Sequence, residues 1–170
     1  NLQAAFGKDG STAKKLDVKS PRYLAAGARL DQTVADEFFD KYGIRVIAME
    51  ITHESHVDEI RDALRQTGNP TGVMLQIGTR NTQNFELLKT VGSQRDFPIL
   101  LKRGFGITLH ESLLAAEYVA SEGNRDIVFC LRGMKTNFGD PHRNLVDFAH
   151  VPTVKRLTRM PVCVDPSHSV

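Results

Sequence analysis

Cations recur at one kind of position in this chain. Phe6 is followed by Lys8, Ile77 by Gly78, Thr79, Arg80 and Asn81, and Leu101 by Lys102, Arg103 and Gly104. Leu131 is followed by Arg132 and Gly133, and Val164 by Asp165, Pro166, Ser167 and His168. Each group closes a short β-rich run. If the runs are parallel strands, five of them deliver a cation or a potential cation to one rim, the edge where such sheets bind ligands. A single strand-end Lys or Arg is usually a solvated rim residue, but five at equivalent positions repel one another in a partly desolvated mouth unless an anion joins them. The chemistry that fits is a highly anionic small substrate carrying phosphate and carboxylate. Arg80 and Arg132 offer planar forks for oxyanions, and Lys102 offers a compact charge.

Other polar residues fall near the same ends. A lone histidine is usually structural, but His168, after Asp-Pro-Ser at a strand end, is a candidate metal ligand or proton carrier. His53 lies just beyond another strand end, and His142 lies in the loop after Arg132 and could line the site. Glu50 and Asp165 reach the same rim and could hold a metal-bound water or orient a ligand. Gly78, Gly104 and Gly133 permit close backbone approach. No Walker or dinucleotide-type glycine motif is present.

The elements that must position these residues alternate between β-rich and helical patterns. Strands are predicted at 44–51, 73–79, 97–104, 126–133 and 161–165, and a strand end at 2–6. Helices are predicted at 32–42, 56–66, 83–91 and 109–121, with a short one at 151–157. Phe85, Leu88 and Val91 share a helical face that Gly92 closes. Thr108 caps the helix at 109–121, with Glu111 in the capping-box position. A loop is predicted at 7–27 and a turn at 69–72. About six βα units with nearly continuous apolar strands argue for a parallel sheet buried on both faces, an α/β fold. An open sheet and a closed (β/α)8 barrel both satisfy this pattern.

Composition sets the limits. The chain of 170 residues is 41% hydrophobic with 22 Lys+Arg against 20 Asp+Glu, which excludes disorder and allows a real core. Basic residues interleave with acidic ones, so the charge makes no case for nucleic acid. No apolar run approaches the roughly 20 residues of a membrane helix. Cys130 and Cys163 sit in apolar strand-like runs and are expected to be buried thiols of a reduced, cytoplasmic compartment.

The strand ends resemble a known family. Gln76-Ile-Gly-Thr-Arg-Asn-Thr-Gln-Asn-Phe-Glu-Leu-Leu-Lys89, Pro98-Ile-Leu-Leu-Lys-Arg-Gly104, Leu131-Arg-Gly133 and Val164-Asp-Pro-Ser-His168, with the helix segment at 111–124, are similar to class I 3-deoxy-heptulosonate 7-phosphate (DAHP) synthases. The similarity is to their short-chain branch, related to 3-deoxy-octulosonate 8-phosphate synthases, and runs from about residue 44 to the end. It implies a (β/α)8 TIM barrel of which this chain, 1–170, covers about strands 2–7 as a single incomplete catalytic domain. It also implies an aldol-type condensation of phosphoenolpyruvate with a phosphorylated aldose, most simply erythrose 4-phosphate, in aromatic amino acid biosynthesis by the shikimate pathway. By motif match, Arg80, Lys102 and Arg132 would bind phosphoenolpyruvate with Arg103 beside them, and Lys102 and His168 would serve catalysis. His168 would also be one ligand of a divalent metal (Mn, Fe, Co, Zn or Mg). The family is commonly oligomeric, which implies a homo-oligomer.

The match has departures. The family's Cys ligand comes from the first barrel strand and its Glu and Asp ligands from the last, and neither segment is in this chain. Its sugar-phosphate loop carries Lys-Pro-Arg-Thr, or Lys-Ala-Asn-Arg-Ser in the octulosonate relatives. Here Phe6-Gly-Lys8-Asp-Gly-Ser-Thr12 keeps Lys8 and loses the Arg, so a different aldose phosphate is an alternative. Residues 13–18 and 66–72 have the look of insertions, and Asn137-Phe-Gly139 is similar to the octulosonate branch. A homologue that keeps the anion site without catalysis is the reading from another class. The expectation for the whole is an ordered portion of a longer enzyme.

Overall fold

The expected alternation of strands and helices is present from residue 47 onward. The structure is a computed structural model that describes residues 47–67, 73–141 and 144–169. The strand end expected at 2–6, the loop at 7–27, the helix at 32–42 and the turn at 69–72 lie outside the described residues, as do Lys8 and His142.

The described elements run β1 (Ile47–Ile51), α1 (Ser55–Thr67), β2 (Val73–Ile77), α2 (Phe85–Gly92), β3 (Ile99–Lys102) and α3 (Leu109–Ser121). They continue with β4 (Ile127–Arg132), β5 (Met134–Lys135), β6 (Asn144–Leu145), α4 (His150–Thr158), β7 (Val162–Asp165) and a 3-10 turn at Pro166–His168. Helix α1 belongs to one compact unit of the chain, and the sheet with α2 to α4 belongs to another. Helix α1 is amphipathic. Val57 and Ile60 are buried, while Arg61 pairs with Asp58 at 2.9 Å and Arg65 with Asp62 at 3.4 Å along its exposed side.

In the second unit five of the strands form one sheet in the order β1-β2-β3-β4-β7, and β5 and β6 form a separate pair. The pairs β2–β3, β3–β4 and β4–β7 are parallel. Paired positions on parallel strands point to the same face. One face therefore carries the rows Leu75–Ile99–Ile127 and Ile77–Leu101–Phe129–Val162. All but Val162 of these are buried, each stabilising the fold by about 1.5–3 kcal/mol. The other face carries Gln76–Leu100–Val128, then Lys102–Cys130–Cys163, then Arg132–Asp165. Its polar residues gather at the carboxyl ends. The β-branched and leucine-rich runs thus form strands whose last residue, on β3, β4 and β7, is charged.

Helices α2 and α3 pack on each other, α3 packs on β4, and α4 packs on β7. Asn84 caps α2 by accepting from the Leu87 amide at 3.3 Å. The capping box at α3 is complete: Thr108 Oγ1 accepts from the Glu111 amide at 3.1 Å, and the Glu111 carboxylate accepts from the Thr108 amide at 2.7 Å. Gly92 does more than close α2. A Cβ there would stand 2.6 Å from the Val119 carbonyl oxygen of α3, so its hydrogen permits the two helices to approach.

Three expectations change. Phe85, expected to face inward with Leu88 and Val91, is 44% exposed and rests on the Tyr118 ring at 4.7 Å. It is the first residue of α2, one turn before the buried Leu88, and Leu87 fills the core beside Leu88 instead. Cys163, expected to be buried, is exposed, because β7 ends the sheet order and has β4 on one side only among the described residues. The antiparallel pair β5–β6 was not expected, since strands of two residues leave no periodicity to read.

Candidate functional site

The polar ends of the strands enclose a cavity of about 170 Å³ lined by Glu50, Gly78, Thr79, Arg80, Lys102, Phe105, Arg132 and Asn144. Glu50 comes from β1, Lys102 is the last residue of β3, and Arg132 is the last of β4. Gly78, Thr79 and Arg80 form the turn directly after β2. Asn144, buried on β6, is delivered by the pair β5–β6, which Lys135 ties to the Phe105 loop through a 2.8 Å bond from its amide to the Phe105 carbonyl. Three of the sequence-predicted cations therefore meet at one site: Arg80 exposed, Lys102 half-buried and Arg132 buried.

Two carboxylates accompany them. Asp165, the register partner of Arg132 on β7, accepts from Lys102 Nζ at 2.9 Å. Burial alone would raise the Asp165 pKa, but the Ser167 hydroxyl, Lys102 and the Ser167 amide all bond its charged form and hold it below the usual carboxylate range. The Glu50 carboxylate accepts from Gln76 Nε2 at 3.1 Å and lies over Gly78, where a Cβ would collide with Glu50 Oε1. Only glycine leaves that carboxylate where it is.

Arg103 stands apart from this group. It is 3% exposed, does not line the cavity, and donates through Nη1 to the Gly104 carbonyl at 2.8 Å. Consecutive residues at a strand end face opposite ways, so Lys102 and Arg103 cannot both enter the cavity. Burial lowers the Arg103 pKa from its ordinary value, with the Asp147 carboxylate opposing. His168 ends the 3-10 turn after β7, at the same end of the sheet, and its side chain lies outside the described residues. His53 is exposed beyond β1. Among the described residues no three His, Cys, Asp or Glu side chains gather as a metal site.

The sequence reading placed Glu50, Gly78, Arg80, Lys102 and Arg132 at a rim and missed Phe105 and Asn144 as lining residues. Both come from irregular segments whose approach is set by tertiary bonds. Chemically, two guanidinium groups and an ammonium converging on a small cavity suit a ligand with more than one oxyanion group.

Known proteins resemble the chain over most of its length. A model of the DAHP synthetase I family matches residues 31–170. A phospho-2-dehydro-3-deoxyheptonate aldolase of Thermotoga maritima is 41% identical over 133 residues, 78% of this chain and 36% of that protein. The crystal structure of a phospho-2-dehydro-3-deoxyheptonate aldolase (DAHP synthase) from the same organism superposes with a TM-score of 0.63 at 33% identity, covering 83% of this chain and 48% of the other. A truncated 3-deoxy-D-arabino-heptulosonate 7-phosphate synthase of T. maritima gives 0.61 at 33% identity, covering 90% of this chain and 62% of the other. The chain thus spans about a third of the curated relative and half to three-fifths of the solved ones. With its parallel sheet and helices, its fold is α/β, part of a TIM barrel.

Proposed function

The chain belongs to the DAHP synthetase I family, and from that premise we propose that it carries the phosphoenolpyruvate site of an enzyme condensing phosphoenolpyruvate with erythrose 4-phosphate to DAHP and phosphate. The observation that carries the proposal is the convergence of Arg80, Lys102 and Arg132 on one cavity from the ends of neighbouring strands. Arg132, buried, holds one oxyanion group bidentately, and Arg80 at the mouth holds a second. Lys102 sits between them and stabilises charge as C3 of phosphoenolpyruvate attacks the aldehyde carbon, with Asp165 fixing its ammonium. Glu50 brings a negative charge into the same cavity.

The proposal includes a divalent metal, with His168 as one ligand and an activity of Lewis-acid type. The described side chains do not complete a metal site, so the metal rests on family membership. Lys8 is proposed for the aldose phosphate on motif alone. Arg103, buried away from the cavity, would act on the site through its backbone. A cytoplasmic place in aromatic amino acid biosynthesis and a homo-oligomeric state are proposed on the strength of the same membership, and the 170 residues are proposed to be part of one catalytic domain.

The test is phosphate release from phosphoenolpyruvate by the full-length protein with erythrose 4-phosphate or arabinose 5-phosphate, with and without EDTA. Release with the four-carbon sugar alone supports DAHP formation, and preference for the five-carbon sugar supports an octulosonate-type reaction. No release with any aldose phosphate, together with retained phosphoenolpyruvate binding, leaves the anion-binding homologue. Arg132→Ala should remove most of the activity while the unfolding temperature holds, and unchanged kinetics would overturn the site assignment.

A further inference from the structure

We propose that Thr82 is a positioning residue of the anion cavity: its hydroxyl holds the turn that carries Arg80 against the end of β3, and so sets the spacing of Arg80 and Lys102. The inference rests on reading that cavity as the phosphoenolpyruvate site. Arg80 makes no side-chain hydrogen bond or ion pair among the described residues, so its placement is set by its backbone. Within the turn, the Asn81 amide donates to the Gly78 carbonyl at 2.9 Å and the Asn84 amide to the Asn81 carbonyl at 3.0 Å. These bonds shape the turn without fixing it to anything else.

Two hydroxyls fix it. Thr79 Oγ1 donates to the Arg103 carbonyl at 2.8 Å, and Thr82 Oγ1 donates to the Lys102 carbonyl at 2.9 Å. The Thr82 hydroxyl also lies 3.2 Å from the Thr79 carbonyl, but its single proton favours the shorter bond. Thr79 lines the cavity, whereas Thr82 is 1% exposed and does not. The Thr82 bond therefore joins the backbone of Lys102, whose side chain enters the cavity, to the turn carrying Arg80 without touching a ligand. Its β-branched side chain is stiff at χ1, so the hydroxyl is held ready for the carbonyl. Loss of that tie lets the exposed Arg80 shift relative to Lys102, and a ligand gripped by both loses contact with one of them.

Full-length Thr82→Val and Thr82→Ser, compared with wild type, test this. Valine keeps the branch and removes the hydroxyl, and serine keeps the hydroxyl. Thr82→Val should raise the KM for phosphoenolpyruvate roughly five- to tenfold, the worth of one buried hydrogen bond, and leave the KM for the aldose phosphate unchanged. Thr82→Ser should restore the first KM to within about twofold of wild type. A merely structural role would lower kcat through loss of active protein and leave both KM values alone. An unchanged phosphoenolpyruvate KM in Thr82→Val, or equal impairment by serine, overturns the proposal. Hydrogen exchange of the peptide at 78–84 separates failure of this inference from failure of the functional reading. If wild type does not act on phosphoenolpyruvate, the functional reading fails, yet faster exchange in Thr82→Val than in Thr82→Ser still supports the tie, and equal exchange refutes it.

Discussion

Asp165→Asn keeps the shape of the side chain and removes its charge, leaving the Lys102 ammonium facing an amide across 2.9 Å. At that distance, with an effective dielectric of about 20, the attraction in the intact pair is about 6 kcal/mol. The two side chains are only 17% and 16% exposed, so desolvation offsets several kcal/mol of it. The expected loss of stability at pH 7 is about 3 kcal/mol, most of it the cost of a half-buried ammonium without its counter-charge. The pH dependence has a definite sign. Burial pushes the Asp165 pKa up, but its bonds from Ser167 and Lys102 outweigh this and hold the group below its ordinary value. A depressed carboxyl contributes its full stabilisation above the unfolded pKa of about 3.9 and loses it as pH falls toward the folded value. In urea unfolding of the full-length protein, the difference between wild type and variant should be level from pH 7 to about pH 5. It should then shrink by about 1 kcal/mol between about pH 4 and pH 3. A difference that ignores pH, or a variant as stable as wild type at pH 7, would refute the reasoning.

Two further outcomes are expected. Gly78→Ala places a methyl where the Glu50 carboxylate lies, so Glu50 must swing away and give up its bond from Gln76; ligand affinity should change with little loss of stability, and unaltered binding by calorimetry would count against Glu50 as part of the site. Brief alkylation at pH 8 should label Cys163, which is exposed, well before Cys130, whose thiol is pushed up to about 12 by burial first and the neighbouring Cys163 second; peptide mapping that finds both labelled at one rate would contradict the burial of Cys130.

Much of the fold was readable before the structure. The β-branched runs ending in Ile77, Lys102, Arg132 and Asp165 became strands, and Thr108 with Glu111 marked a helix start within one residue. These signals are local, carried by periodicity and capping within a few residues. The site was readable to the extent that strand ends share a rim, which brought Arg80, Lys102 and Arg132 together. What was not readable depends on pairing across the chain. The bond between Lys102 and Asp165 needs the register of three strands, and the approach of Asn144 needs the short pair β5–β6. The placement of Arg103 was available from alternation, since two successive cations at a strand end cannot share a face.

The alignment of the parallel strands has a consequence for how the chain folds. Lys102 and Asp165 are 63 positions apart in sequence and meet only when β3, β4 and β7 are zipped in step. A misalignment of β3 by one residue would turn Lys102 toward the apolar face and bring Leu101 to the cavity, stranding an ammonium among Ile77, Phe129 and their neighbours. The charges at the strand ends therefore also help to select the register of the sheet, because any one-residue slip turns them toward the apolar face while the chain is still assembling. Because these long-range pairings are slow to close, the native alignment of β3, β4 and β7 after dilution from urea should form later than the recovery of helical signal.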